Sequence, residues 1–154
     1  MGSNKMALVT GASAGIGEDI ARDLAARGYD LFLVARRKER MEALKIQLVK
    51  EHRVQVLVHA QDLSTHTACE ELLAALQTAD VTIDVLVNNA GFGSFCPTLD
   101  ADTERERAMV RILFQFPVDL TRALVRGMIE RGQGRILQVA STASFQPSPG
   151  YGMY

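Results

Sequence analysis

The sequence predicts an α/β fold: a doubly wound parallel sheet of five strands, in the order 3-2-1-4-5, with helices on both faces. Two observations predict it. Short continuous apolar runs, the mark of strands buried on both faces, alternate with amphipathic stretches along the whole chain. The chain has 154 residues, 47% of them apolar and 23% charged, which suits one ordinary domain, read here as 1–154. Right-handed crossovers then set the strand order. They put the ligand-binding crevice at the strand C-termini, near the switch point between strands 1 and 4.

Each element has its own signal. Met6 to Val9 is a first apolar run. The helix after it carries Ile16, Ile20 and Leu24 four apart, with Ala21 and Ala25 beside them and Gly28 as its stop. Leu31 to Val34 reads as strand 2. Residues 38–52 read as helix 2, with Met41, Leu44, Leu48 and Val49 on one face. Val54 to His59 is strand 3, and a third helix from about Thr65 to Thr78 turns Leu72, Leu73 and Leu76 inward. Val81 to Val87 is strand 4. A single long fourth helix is expected over Asp102 to Arg131, marked by Met109, Ile112, Leu113, Phe116, Leu120 and Leu124. Pro117 lies inside it and removes one backbone bond, at roughly 3 kcal/mol if uncompensated, so a kink is expected there. Arg135 to Ala140 is strand 5.

The chemistry gathers at strand ends. Val9-Thr10-Gly11-Ala12-Ser13-Ala14-Gly15-Ile16-Gly17 joins strand 1 to helix 1. A helix start leaves N–H groups unpaired and carries the positive end of the macrodipole, so it suits a phosphate. Gly11 allows the sharp turn, Gly15 clears space for a diphosphate, and Gly17 lets the helix pack closely on the strand. The Gly-Lys-Ser/Thr of a P-loop is absent, which argues against nucleoside triphosphate hydrolysis. A turn that binds nothing is the bland alternative, weakened by three glycines at one junction.

Strand 2 ends in Val34-Ala35-Arg36-Arg37-Lys38. An acidic residue there would select NAD, whereas guanidinium groups suit a 2′-phosphate. The pattern predicts NADP(H), with Arg36 the first choice as ligand. Solvated helix-start charges are the alternative, although cations there oppose the macrodipole. Asp62-Leu63 follows strand 3; its carboxylate either accepts from an adenine amino group or caps helix 3. Asn88-Asn89-Ala90-Gly91 ends strand 4, and its amides and glycine suit close backbone approach or an ordinary polar turn.

Taken together and in order, Thr10-Gly11-x-x-x-Gly15-x-Gly17, Asp62-Leu63 and Asn88-Asn89-Ala90-Gly91 resemble the short-chain dehydrogenase/reductase family, with its Rossmann-like fold. The resemblance implies an oxidoreductase that moves hydride to or from a carbonyl or alcohol carbon of a small molecule. It implies cofactor contacts at Gly11, Ser13, Gly15, Ile16, Gly17, Arg36, Arg37, Asp62, Leu63, Asn89, Ala90 and Gly91. The family's serine matches Ser141, and its general acid/base tyrosine, thirteen residues on, matches Tyr154 rather than Tyr151. The family's lysine, four residues after that tyrosine, has no counterpart in the sequence, and the helix asparagine of the family is matched by Leu113. The resemblance also implies a further helix, two strands and a covering loop. The chain is therefore expected to be cut short, as a fragment or a naturally short relative that binds nucleotide or a partner without chemistry. Catalysis is expected to be absent or feeble, and strand 5 to be an exposed edge that invites a homo-oligomer.

Composition sets the remaining expectations. A net charge of −1 without a basic block argues against nucleic acid, and no apolar run reaches the length of a membrane span. Cys69 and Cys96 lack metal-type spacing and read as reduced packing residues of a cytoplasmic protein. His52, His59 and His66 fall on different elements, so no metal site is expected. Phe92, Phe95 and Phe145 are candidates to line the entrance, with loop packing as the alternative.

Overall fold

The computed structural model describes residues 5–146 and 149–150. Five parallel strands, β1 (Met6–Thr10), β2 (Asp30–Ala35), β3 (Val56–Ala60), β4 (Ile83–Asn88) and β5 (Arg135–Gln138), form one sheet in the order β3-β2-β1-β4-β5. The helices are α1 (Ile16–Ala26), α2 (Lys38–His52), α3 (Ala68–Thr78), α4 (Thr103–Val110) and α5 (Phe116–Glu130). This is the predicted doubly wound sheet.

Alternation along the strands sends side chains to two cores. Ala7, Val9, Leu31, Leu33, Val85 and Val87 meet Ala21 and Ala25 of α1 and Met41, Leu44 and Leu48 of α2. On the other face Leu8, Phe32, Val34 and Leu86 meet Leu72 and Leu76 of α3 and Phe116, Leu120 and Met128 of α5. β4 carries one extra residue against β1. Met6 pairs with Ile83 and Ala7 with Val85, while the Asp84 carboxylate accepts the Met6 N–H at 3.0 Å. The bulge resets the alternation, so Ile83 and Leu86 share a face despite their odd spacing.

Several expectations are corrected. The single fourth helix is α4 and α5 joined by a π turn, Arg111–Gln115, in which the Phe116 N–H reaches back five residues to the Arg111 carbonyl. Pro117 thereby falls in the opening positions of α5, where a missing N–H costs little. Helix 3 begins at Ala68, with Thr67 at its N-cap, rather than at Thr65. Val49, assigned to the inward face of helix 2, is 42% exposed, and Ile16 at the start of α1 is 60% exposed. Leu113 likewise stands partly in solvent.

Candidate functional site

The tips of β1, β2, β3 and β4 surround a cleft of ≈ 310 Å³. Its walls include Gly11, Ser13, Ile16, Arg36, Arg37, Asp62, Leu63, Asn89, Ala90 and Gly91. Ten of the twelve predicted cofactor contacts therefore line one space. The other two, Gly15 and Gly17, belong to the same glycine-rich turn.

The turn is built by close approach. A Cβ on Gly11 would come within 2.7 Å of the Asn89 amide and 2.9 Å of the Ala90 backbone. A Cβ on Gly17 would overlap the Gly11 carbonyl and the Asn89 amide, so Gly17 admits the helix against the turn and the β4 tip rather than against β1 itself. Gly15 is different. Its φ of 57 and ψ of −139 suit glycine, and a Cβ there would meet nothing within 4 Å. No side chain caps α1, so its first N–H groups are not covered from within the turn. Glu18 and Asp19 in that first turn would oppose an anion, but Glu18 is paired with Arg22 at 2.7 Å.

Asn89 ties the strand ends together. Its side-chain amide donates to the Thr10 carbonyl at 3.0 Å and to the Gly11 carbonyl at 3.4 Å. The buried Thr10 hydroxyl donates to the Val87 carbonyl at 3.1 Å and accepts the N–H groups of Asn89 and Ala90 at 2.9 and 3.0 Å. The neighbouring Asn88 points inward and donates to Thr121 Oγ1 at 3.1 Å, and its backbone carbonyl accepts the Val139 N–H at 2.9 Å.

At the far end the two arginines divide. Arg37 Nε donates to Ser13 Oγ at 3.1 Å, which braces the glycine-rich turn. Arg36 is exposed on the cleft wall, and its charge acts on Asp62. Burial raises the Asp62 pKa, but the N–H and hydroxyl of Ser64 and the Arg36 charge outweigh it, so the carboxyl lies below its ordinary value. Asp62 Oδ1 accepts both Ser64 groups, at 2.9 and 2.7 Å. The helix-cap alternative for Asp62 is thus corrected to a local turn, since α3 begins only at Ala68, with Thr67 at its N-cap position.

Ser141 follows β5, is half-buried, and accepts the Ala143 N–H at 3.1 Å. Tyr154, with Tyr151, lies outside the described residues. Phe92 lines the cleft under the Arg105 guanidinium, which stands 5.1 Å from its ring centre, whereas Phe95 and Phe145 are largely exposed. His52 lies beside Glu51, His59 against Phe32, and His66 beside Arg111. Both cysteines are free, and burial, with the Asp119 and Glu70 charges, pushes the Cys69 thiol up, away from thiolate.

Sequence reasoning missed Gln61 and Arg111. Gln61 lines the cleft, and its amide nitrogen donates to the Ala68 carbonyl at 2.9 Å and to Glu71 at 3.0 Å. Its buried Oε1 has no hydrogen-bond partner among the described residues. No motif points to either residue; they are found only when the chain is folded.

A doubly wound sheet with a glycine-rich first turn and a cleft at its switch point defines a nucleotide-binding α/β protein. The residues fit a dinucleotide: a glycine cradle with open space above it, an uncapped helix start, and two guanidiniums at the second strand's end. The profile of the short chain dehydrogenase family matches residues 5–154, and the chain belongs to that family. It is 38% identical over 148 residues to the NADP-dependent 3-hydroxy acid dehydrogenase YdfG of Salmonella typhi, covering 96% of this chain and 58% of that protein. Among solved structures, the bulky-bulky ketone specific alcohol dehydrogenase from Comamonas testosteroni superposes with a TM-score of 0.91 at 32% identity, over 99% of this chain and 61% of that one. L-sorbose reductase from Gluconobacter frateurii, complexed with NADPH and L-sorbose, gives 0.89 at 34% identity, over 98% and 57%. The chain thus spans less than two thirds of these relatives.

Proposed function

We propose that this chain is the cofactor-binding portion, a single domain over 1–154, of an NADP(H)-dependent oxidoreductase acting on a carbonyl or alcohol carbon of a small molecule. The observation that carries the reading is the uncapped start of α1 beside a glycine-rich turn with open space at Gly15, in the same cleft as Arg36 and Arg37. The names of YdfG and the sorbose reductase complex support the choice of NADP(H) over NAD(H). The nicotinamide cofactor, when bound, supplies or accepts the hydride. The chain's own groups do the rest. The α1 N–H groups hold a diphosphate, Arg36 pairs with a 2′-phosphate, and Asp62 accepts from the adenine amino group. Ser141 polarises the substrate oxygen, and the Tyr154 phenol passes it a proton. That role needs the phenol pKa brought down from about 10. A cytoplasmic homo-oligomer with no nucleic-acid or membrane partner completes the proposal.

The test is a fluorescence titration with NADPH and NADH. NADPH is expected to bind more tightly. Arg36→Ala should raise its Kd roughly 10- to 100-fold while leaving NADH nearly unchanged. Equal losses for both cofactors would refute the role of Arg36. NADPH consumption by this chain with a panel of ketones and aldehydes is expected to be absent or feeble, and turnover at rates ordinary for an oxidoreductase would refute that expectation.

A further inference from the structure

Arg111 opens the π turn between α4 and α5, outside the glycine-rich, Asp62-Leu63 and Asn88-Asn89-Ala90-Gly91 motifs. Its Nε donates to the Ser64 carbonyl at 2.6 Å, a charge-assisted bond, and its Nη1 lies 3.4 Å from His66 Nε2. Ser64 in turn gives its N–H and its hydroxyl to Asp62 Oδ1. The guanidinium therefore grips the backbone of the residue that holds the Asp62 carboxylate. Two positions further along the same π turn, Leu113 packs where a Cβ on Gly91 would stand. One short segment thus braces both the turn after β3 and the tip of β4.

The π geometry matters to this reach. A regular helix continuing from α4 would turn each later side chain by about 100° per residue. The extra residue in the wide turn changes that phase between α4 and α5.

We infer that Arg111 is a positioning residue for adenine recognition: it pins the 62–66 turn and so aims the Asp62 carboxylate into the cleft. The inference rests on the proposed reading of Asp62 as the adenine contact. It differs in kind from the role of Arg36, because it acts on the base end of the cofactor and not on the 2′-phosphate.

The experiment measures Kd for NADPH, NADH and reduced nicotinamide hypoxanthine dinucleotide phosphate, which lacks the 6-amino group. Arg111→Leu, Arg111→Lys and Asp62→Ala are compared with the unaltered chain. Arg111→Leu is expected to raise Kd for NADPH and NADH by a common factor of roughly 5 to 30. It should change binding of the hypoxanthine analogue by less than about twofold, since the contact Asp62 makes is already missing. Combined with Asp62→Ala it should add little further loss, as expected for groups acting through one another. Arg111→Lys, which keeps a cationic donor, should recover most of the affinity, and it covers the case in which the leucine variant folds poorly. Unchanged Kd values for NADPH and NADH, an equal loss for the hypoxanthine analogue, or a full loss in the Asp62→Ala background would each overturn the inference. Failure of the unaltered chain to bind NADPH would overturn the cofactor reading itself, and this inference with it.

Discussion

Gly15 and Gly17 stand two residues apart and are required for opposite reasons. Gly17 is surrounded: any side chain would strike the Gly11 carbonyl and the Asn89 amide. Gly15 is open, and only its backbone conformation and the space above it call for glycine. Gly17→Ala is therefore expected to lower stability by roughly 2–3 kcal/mol through overpacking. Gly15→Ala should cost roughly 1 kcal/mol of backbone strain and chiefly abolish stabilisation by NADPH. Urea denaturation with and without the cofactor separates the two. Asp62 gives a second expectation. Its folded pKa lies below the ordinary value of about 3.9, so its contribution to stability is complete above about pH 5 and fades as pH falls through the folded value. The stability gap between the unaltered chain and Asp62→Asn should be constant from about pH 5 to 7 and shrink below about pH 4. Denaturant midpoints across that range would show it, and a gap that widened in acid would contradict it. At this scale the glycines and Asp62 were legible because each carries a local constraint on backbone or charge. Gln61 and Arg111 were not, because their hydrogen bonds depend on how a turn and a helix come together in space, which no local pattern records.

Among the elements, the strands were the most legible, since an apolar run between turn residues has few other uses in a chain of this kind. The exceptions came where apolar periodicity served something other than the core. Ile16 continues the helical spacing of α1 yet faces the cleft, and Val49 continues that of α2 yet faces solvent. The fourth helix misled for another reason. Its apolar positions fit one long helix, and a single proline suggests a kink, but a π turn absorbs the proline by shifting the bonding pattern before it. The joint between β1 and β4 is carried by Thr10, whose hydroxyl makes three hydrogen bonds in a nearly fully buried setting. Thr10→Val keeps the shape and leaves those groups unpaired, and should cost roughly 2–4 kcal/mol. Thr10→Ser should retain most of the stability. Thermal and urea unfolding of the pair would decide between a hydroxyl effect and a packing effect.

For the molecule as a whole, the strand order followed from alternation and crossover handedness alone, and the cleft lies where that order reverses. The exposed edge expected of strand 5 is present in β5. Among the described residues it pairs with β4 alone, and all four of its residues are exposed. Two of those four, Ile136 and Leu137, are large apolar residues standing partly in solvent. Such an edge favours association with another strand. The protein is expected to self-associate as its concentration rises, and Leu137→Lys to weaken that association, as sedimentation velocity would measure; a strictly monomeric protein at high concentration would count against it. A last consequence follows from Asn89. Its amide stitches shut a loop that began seventy-eight residues earlier, at Gly11. During synthesis the glycine-rich turn therefore stays unfinished until β4 has left the ribosome. A newborn chain carries its most recognisable motif long before it can use it.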